Sequence, residues 1–223
     1  MKKKAYALLA ACFLGCCAAA SACTAEEPAG NAPRAFDADA SASIRGPAVP
    51  ASGAAEGSRI AVVYFSEPET EDRAAVTGST EFIAQIISKE TGGRLVRIER
   101  TAPYPASHEA LTAEAKGERD GNVRPSIRPV EDLSGCDVIF LGYPIWWYDM
   151  PMPVYSFLDA YDLSGKTIIP FVTHGGSGLT GTADRIAAAE PGARVAGPAY
   201  EVYRADVPEA EPSVLRWLTR LGY

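Results

Sequence analysis

Three short segments carry the side chains best suited to chemistry. The first sets Ser66 directly after an apolar run and resumes with Thr77-Gly78-Ser79-Thr80 at the start of a helical pattern. Hydroxyls beside the free N–H groups of a helix N-terminus suit a phosphate. The same residues also suit plain capping of that helix by Ser79. The second segment runs from Tyr143 to Pro151 and holds Pro144, Ile145 and two adjacent tryptophans, Trp146 and Trp147. Neighbouring side chains on an extended chain point to opposite faces, so one core does not easily take both rings. Either both are core residues, or one packs inward and the other meets a flat ligand. The third segment is Thr173, His174, Gly175, Gly176, Ser177 and Gly178. Its small residues let backbone donors approach the edge of a planar molecule, although glycine clusters also form simple turns. Taken together, the segments describe a pocket for something with a phosphate tail and a flat ring. No Ser-His-Asp arrangement competes with it, and two histidines, His108 and His174, exclude a histidine-rich metal site. No catalytic side chain and no metal ligand is assigned.

The elements that must position these segments follow from hydrophobic periodicity. Continuous apolar runs at Ile60 to Phe65, Asp137 to Gly142 and Lys166 to Thr173 predict buried strands, with further strands at Leu95 to Ile98 and Arg194 to Tyr203. Phe82, Ile83, Ile86 and Ile87 mark one helical face, closed by Gly92-Gly93. Ser107 to about Arg119 is a polar helix with a thin apolar stripe, a helix to which the sequence gives no chemistry and on which His108 is expected to be exposed. Val154, Phe157, Leu158 and Tyr161 mark a third helix, with Pro153 in its first turn. Ala183, Ile186 and Ala187 mark a fourth; Val214, Trp217, Leu218 and Leu221 mark a fifth. The start of the fifth stays open, because Asp206-x-x-Glu209 looks like a capping box while Pro212 does not fit six residues into a helix. Alternating β and α with continuous apolar strands predicts a parallel sheet between two helical layers. Ligands bind such sheets beyond the carboxyl ends of the strands, where all three segments fall.

The whole chain bounds this reading. Its 223 residues, 47% hydrophobic, suit one ordinary domain with appendages. Lys2, Lys3 and Lys4 precede an apolar, small-residue stretch that ends in Ala20-Ser21-Ala22-Cys23, the layout of a secretory signal over residues 1–22. A cysteine straight after small residues resembles a bacterial lipobox, so Cys23 is the expected lipidation site, with Cys16 as second candidate and plain cleavage after Ala22 as the alternative. Residues 23–57, rich in Ala, Pro, Gly and Ser, are expected to form a flexible tether to a domain spanning 58–223. Cys136 is then the only unlipidated cysteine, expected to be a small buried residue rather than a nucleophile. The formal net charge is −7; without the three signal lysines, 18 basic residues stand against 28 acidic, a balance of −10. Such a surface disfavours nucleic acid as a partner.

The pieces "VVYFS", "GSTEFIAQII", "PYP", "IFLGYPIWW", "PMPVYSFLDAYDLSGKTIIPF" and "THGGSG" resemble the flavodoxin-like FMN-binding proteins of bacteria over about residues 59 to 223. The resemblance implies a three-layer αβα, doubly wound, five-stranded parallel sheet of order 2-1-3-4-5, the order for which flavodoxin itself is the standard example. It implies that Ser66, Gly78, Ser79 and Thr80 hold the phosphate of FMN. Pro144, Ile145, Trp146 and Trp147 would flank the ring, with Trp147 slightly favoured as the stacking residue. Thr173 and the segment from His174 to Gly178 would line the ring's polar edge. One departure stands out. Glu67 to Val76 intervenes where such proteins commonly carry a compact hydroxyl–glycine loop, and it holds four acidic residues against Arg73.

FMN would supply the redox chemistry. The expectation is therefore a flavoprotein working in electron transfer, or as a quinone-type oxidoreductase, on the outer side of the cytoplasmic membrane and held there by its lipid anchor alone. Its partner would be a redox protein or a quinone-like small molecule; nicotinamide is scarce outside the cytoplasm. The alternative is a flavodoxin-shaped binding or assembly module that has lost FMN through the acidic insertion.

Overall fold

A computed structural model describes residues 59–68 and 77–223. The signal, Cys16, Cys23 and the tether lie outside the described residues. Strands β1 (Ile60–Tyr64), β2 (Arg94–Arg97), β3 (Val138–Pro144), β4 (Thr167–His174), β5 (Arg194–Val195) and β6 (Tyr200–Tyr203) alternate with helices α1 (Ser79–Thr91), α2 (His108–Asp120), α3 (Met152–Ala160), α4 (Thr182–Ala189) and α5 (Glu211–Leu221). The strands pair in parallel in the order β2-β1-β3-β4-β5, with β6 also paired to β4. The expected order 2-1-3-4-5 thus holds. The expected fifth strand is realised in two pieces along one edge of β4.

Two prolines explain that break. In β4, Lys166 and Ile168 accept from β5, while Thr167 donates to and Thr173 accepts from the β3 side. Alternation then turns the position of Pro170 toward β5, and proline has no N–H to give. Opposite it, Ile169 and Pro170 face Ala196, Gly197, Pro198 and Ala199, and pairing resumes at Phe171↔Tyr200. The extra residues form a bulge, the place where a sheet tolerates proline. Trp217 of α5 fastens it by donating from Nε1 to the Pro198 carbonyl at 2.7 Å.

Strand residues alternate between two cores. Ile60, Val62, Tyr64 and Phe140 pack with α1 and α5, while Ala61, Val63, Ile139 and Leu141 pack with α2, α3 and α4. A 3-10 turn, Arg204–Glu209, precedes α5, and Pro212 sits in the first turn of that helix, which settles the open start. Cys136 is buried.

Candidate functional site

A cleft of about 610 Å³ opens at the carboxyl ends of β1, β3, β4 and β6, within the size range of small-molecule sites, roughly 300–1,000 Å³. Ser66, Gly78, Ser79, Thr80, Pro144, Ile145, Trp146, Trp147, Thr173, His174 and Gly175 all line it; Gly176, Ser177 and Gly178 do not.

At one end lies the start of α1. Ser66 is 2% exposed, and its carbonyl accepts from Arg97 Nη2 at 3.0 Å. Gly78 is the N-cap of α1, and no side chain caps the helix. Ser79 is instead the first helical residue, so capping by Ser79 is not its role. A Cβ at Gly78 would stand 2.2 Å from Ser66 Oγ. Only glycine lets the helix begin this close to the serine. The first N–H groups of α1 are left without a side-chain cap, beside the Ser66 hydroxyl. That pairing, with the positive end of the helix dipole, suits an anion. The Thr80 and Thr173 hydroxyls meet at 2.8 Å and tie α1 to β4. One donates to the other, whose own proton stays available to a third group.

The tryptophans follow β3, and their surroundings separate them. Trp146 turns inward and meets Phe65 and Tyr104 edge-to-face, each at 5.4 Å between ring centres. Behind it Tyr104 donates to Glu118, which also pairs with Arg100 at 3.1 Å. Burial pushes the Tyr104 hydroxyl and the Glu118 carboxyl up. Trp147 turns outward and is 40% exposed. Backbone bonds between Trp146 and Asp149 run both ways, at 2.9 and 3.0 Å, closing a tight turn around Trp147 (φ +53°) and Tyr148 (φ +63°). Positive φ at both central residues marks a type I′ turn, normally built from Gly, Asn or Asp.

Left-handed geometry costs an ordinary residue ~1–2 kcal/mol, so something must hold two aromatics there. Arg119 Nη1 donates to the Trp147 carbonyl at 2.8 Å, and Arg185 Nη1 to the Tyr148 carbonyl at 3.2 Å. The Trp147 ring donates from Nε1 to the Thr112 carbonyl of α2 at 3.2 Å. Asp149 accepts from Arg185, the Tyr155 hydroxyl and the Met150 N–H. Strain held by long-range bonds at the lip of a cleft points to a functional turn.

In the third segment, His174 Nδ1 accepts from the Gly176 N–H at 3.0 Å. Nε2 therefore carries the proton of the neutral ring. Gly176 (φ +115°) and Gly178 (φ +65°) supply conformations that turn the chain back toward Leu179, whose N–H donates to Glu201 at 2.9 Å.

Other lining residues carry no signal in the sequence pattern. His108, Leu111, Thr112 and Ala115 make α2 a wall of the cleft. His108 is exposed, as expected, but the helix without assigned chemistry is the one that docks Trp147. Glu67, Pro68 and Thr77 line the side of β1. Arg204 and Ala205, directly after β6, complete the rim. The rule that ligands bind beyond strand carboxyl ends would have found these two, since it applies to the last strand as it does to the others. Among the described residues no group of His, Cys, Asp and Glu is arranged to hold a metal, and no helix is long and apolar enough to cross a membrane.

The family model described as flavodoxin matches residues 60–199. No curated protein matches the chain. The crystal structure of a candidate flavoprotein from Bacteroides eggerthii is 26% identical, with a TM-score of 0.55, covering 74% of this chain and 98% of that one. A second, from Bacteroides uniformis, is 24% identical with a TM-score of 0.59, covering 74% and 99%. A Lactobacillus acidophilus flavoprotein solved in complex with FMN is 18% identical with a TM-score of 0.51, covering 71% and 97%.

Proposed function

Because the chain belongs to the flavodoxin family, we propose that its cleft binds FMN and that the protein carries electrons as a lipid-anchored flavoprotein outside the cytoplasmic membrane. A quinone-like small molecule or a redox protein is its partner. One observation carries the reading: Ser66, 2% exposed yet lining the cleft, stands at an uncapped helix start and shares that cleft with a strained aromatic turn. A phosphate meets the first and a flat ring the second. The FMN complex of the Lactobacillus acidophilus protein supports the choice of ligand.

The residues fit the group. Ser66, Ser79 and Thr80, with the backbone N–H groups at Gly78, hold the phosphate. Pro144, Ile145, Trp146 and Trp147 flank the ring, and Thr173, His174 and Gly175 meet its polar edge. Gly176, Ser177 and Gly178 shape the segment behind them. Bound FMN supplies the redox chemistry. The protein's part would be to hold the ring among these lining residues and limit its access to water. His174, whose Nδ1 accepts from the Gly176 N–H, would have Nε2 left to donate to the ring's polar edge.

The purified protein should be yellow, and the flavin released on unfolding should have the mass of FMN. A colourless protein whose added FMN keeps its free fluorescence would sink this reading and favour a binding module that has lost the cofactor. The anchor is tested separately. Membrane association should require Cys23, since several acyl chains hold far better than the marginal grip of one. Loss with Cys16→Ser but not Cys23→Ser moves the anchor to Cys16, and loss with neither removes it.

A further inference from the structure

We propose that Arg204 is the residue by which the cleft selects a phosphorylated flavin over its dephosphorylated form. The proposal rests on the FMN reading of the same cleft. Register places the residue. Thr173 pairs with Val202 and His174 with Tyr203, so Arg204 is the first residue past the end of β6. Thr173 is also the residue whose hydroxyl meets Thr80 in the first turn of α1. The 3-10 turn that Arg204 opens packs against α1 and β4. Arg204 thus stands on the rim of the cleft that the uncapped helix start also lines, in a turn packed against α1.

Charge gives it a task. Arg204 is the only Lys or Arg among the described residues that line the cleft, and Glu67 is the only carboxylate. The helix start offers roughly half a positive charge, against nearly two negative charges on a phosphate monoester. Hydroxyls and N–H groups can satisfy the oxygens but not the charge. A guanidinium meets two phosphate oxygens at once in its planar fork, which an ammonium cannot do. Riboflavin has the same ring without the phosphate, so it gains nothing from Arg204.

The test titrates the full-length chain, freed of flavin, with FMN and with riboflavin by quenching of flavin fluorescence, at low and high salt. Arg204→Gln should weaken FMN binding by about tenfold, leave riboflavin binding unchanged and flatten the salt dependence of FMN binding. Arg204→Lys should recover part of the loss. Melting of each variant checks the fold, and riboflavin affinity serves as an internal control for the cleft. Unchanged FMN affinity in Arg204→Gln overturns the proposal, and so does an equal loss for both flavins, which would put Arg204 at the ring or in the fold. A native chain that binds neither flavin overturns the FMN reading itself, and the selection goes with it.

Discussion

Gly142→Ala is expected to destabilise the protein by about 3 kcal/mol, the upper end of what overpacking usually costs. Gly142 sits in β3 directly across from Phe171 of β4. A Cβ there would stand 2.0 Å from Phe171 Cζ, so the phenyl ring lies over the glycine where a side chain would be. Phe171 is fully buried among α1, α5 and the strands, and such interiors are close-packed. One methyl group must therefore push β3 and β4 apart. A domain holds together by ~5–15 kcal/mol in all, so the loss is a large share of the total. It also falls on the two strands whose ends carry the tryptophan turn and the His174 segment. Chemical denaturation measures it. Phe171→Leu in the same chain should return part of the stability, because the two residues contend for one volume and their effects do not add. A Gly142→Ala chain within ~0.5 kcal/mol of the native one, the ordinary scatter of surface changes, would show that the ring can move aside.

The second large effect divides the tryptophans. Trp146→Ala should cost about 3 kcal/mol of apo stability, the low end for a buried aromatic because one edge faces the cleft. It removes both edge-to-face partners, Phe65 and Tyr104, at once. Trp147→Ala should cost less than about 2 kcal/mol, since the ring is 40% exposed and the loss is one hydrogen bond, two distant cation–π contacts with Lys116 and Arg119, and partial burial. Its effect should appear on the ligand. FMN binding should weaken by about 1–2 kcal/mol, roughly tenfold, and the fluorescence of bound flavin should rise. Apo stability and FMN affinity of both variants decide the matter. Equal destabilisation with no effect on flavin would mean that both rings serve the core and that the ring site lies on another loop.

The sequence by itself determined the elements. A strand buried on both faces needs a continuous apolar run, and Ile60 to Tyr64 and Val138 to Leu141 have one. A helix on a sheet needs apolar residues three and four apart, as at Ile83, Ile86 and Ile87. These are local rules, legible along the chain. The break between β5 and β6 was not anticipated in the single strand expected over Arg194 to Tyr203, although Pro198 inside it is a local signal. The three segments that meet in the cleft were legible because each follows a strand, and parallel strands bring their carboxyl ends to one edge.

What only the tertiary structure decided depends on contacts across the chain. Adjacency on an extended strand predicts that Trp146 and Trp147 differ but cannot say how. The difference comes from a left-handed turn held by Arg119 and Arg185, each far away in sequence. Nothing in a polar helix such as α2 announces that its Thr112 carbonyl will receive an indole. Arg204 looks like any charged residue after a strand until register sets it just past Tyr203, the partner of His174, on the rim of the cleft that Thr173 and Thr80 also line. Periodicity reports which face of an element is buried. It carries no information on which distant side chain completes a turn or a charge, because that depends on how the elements pack.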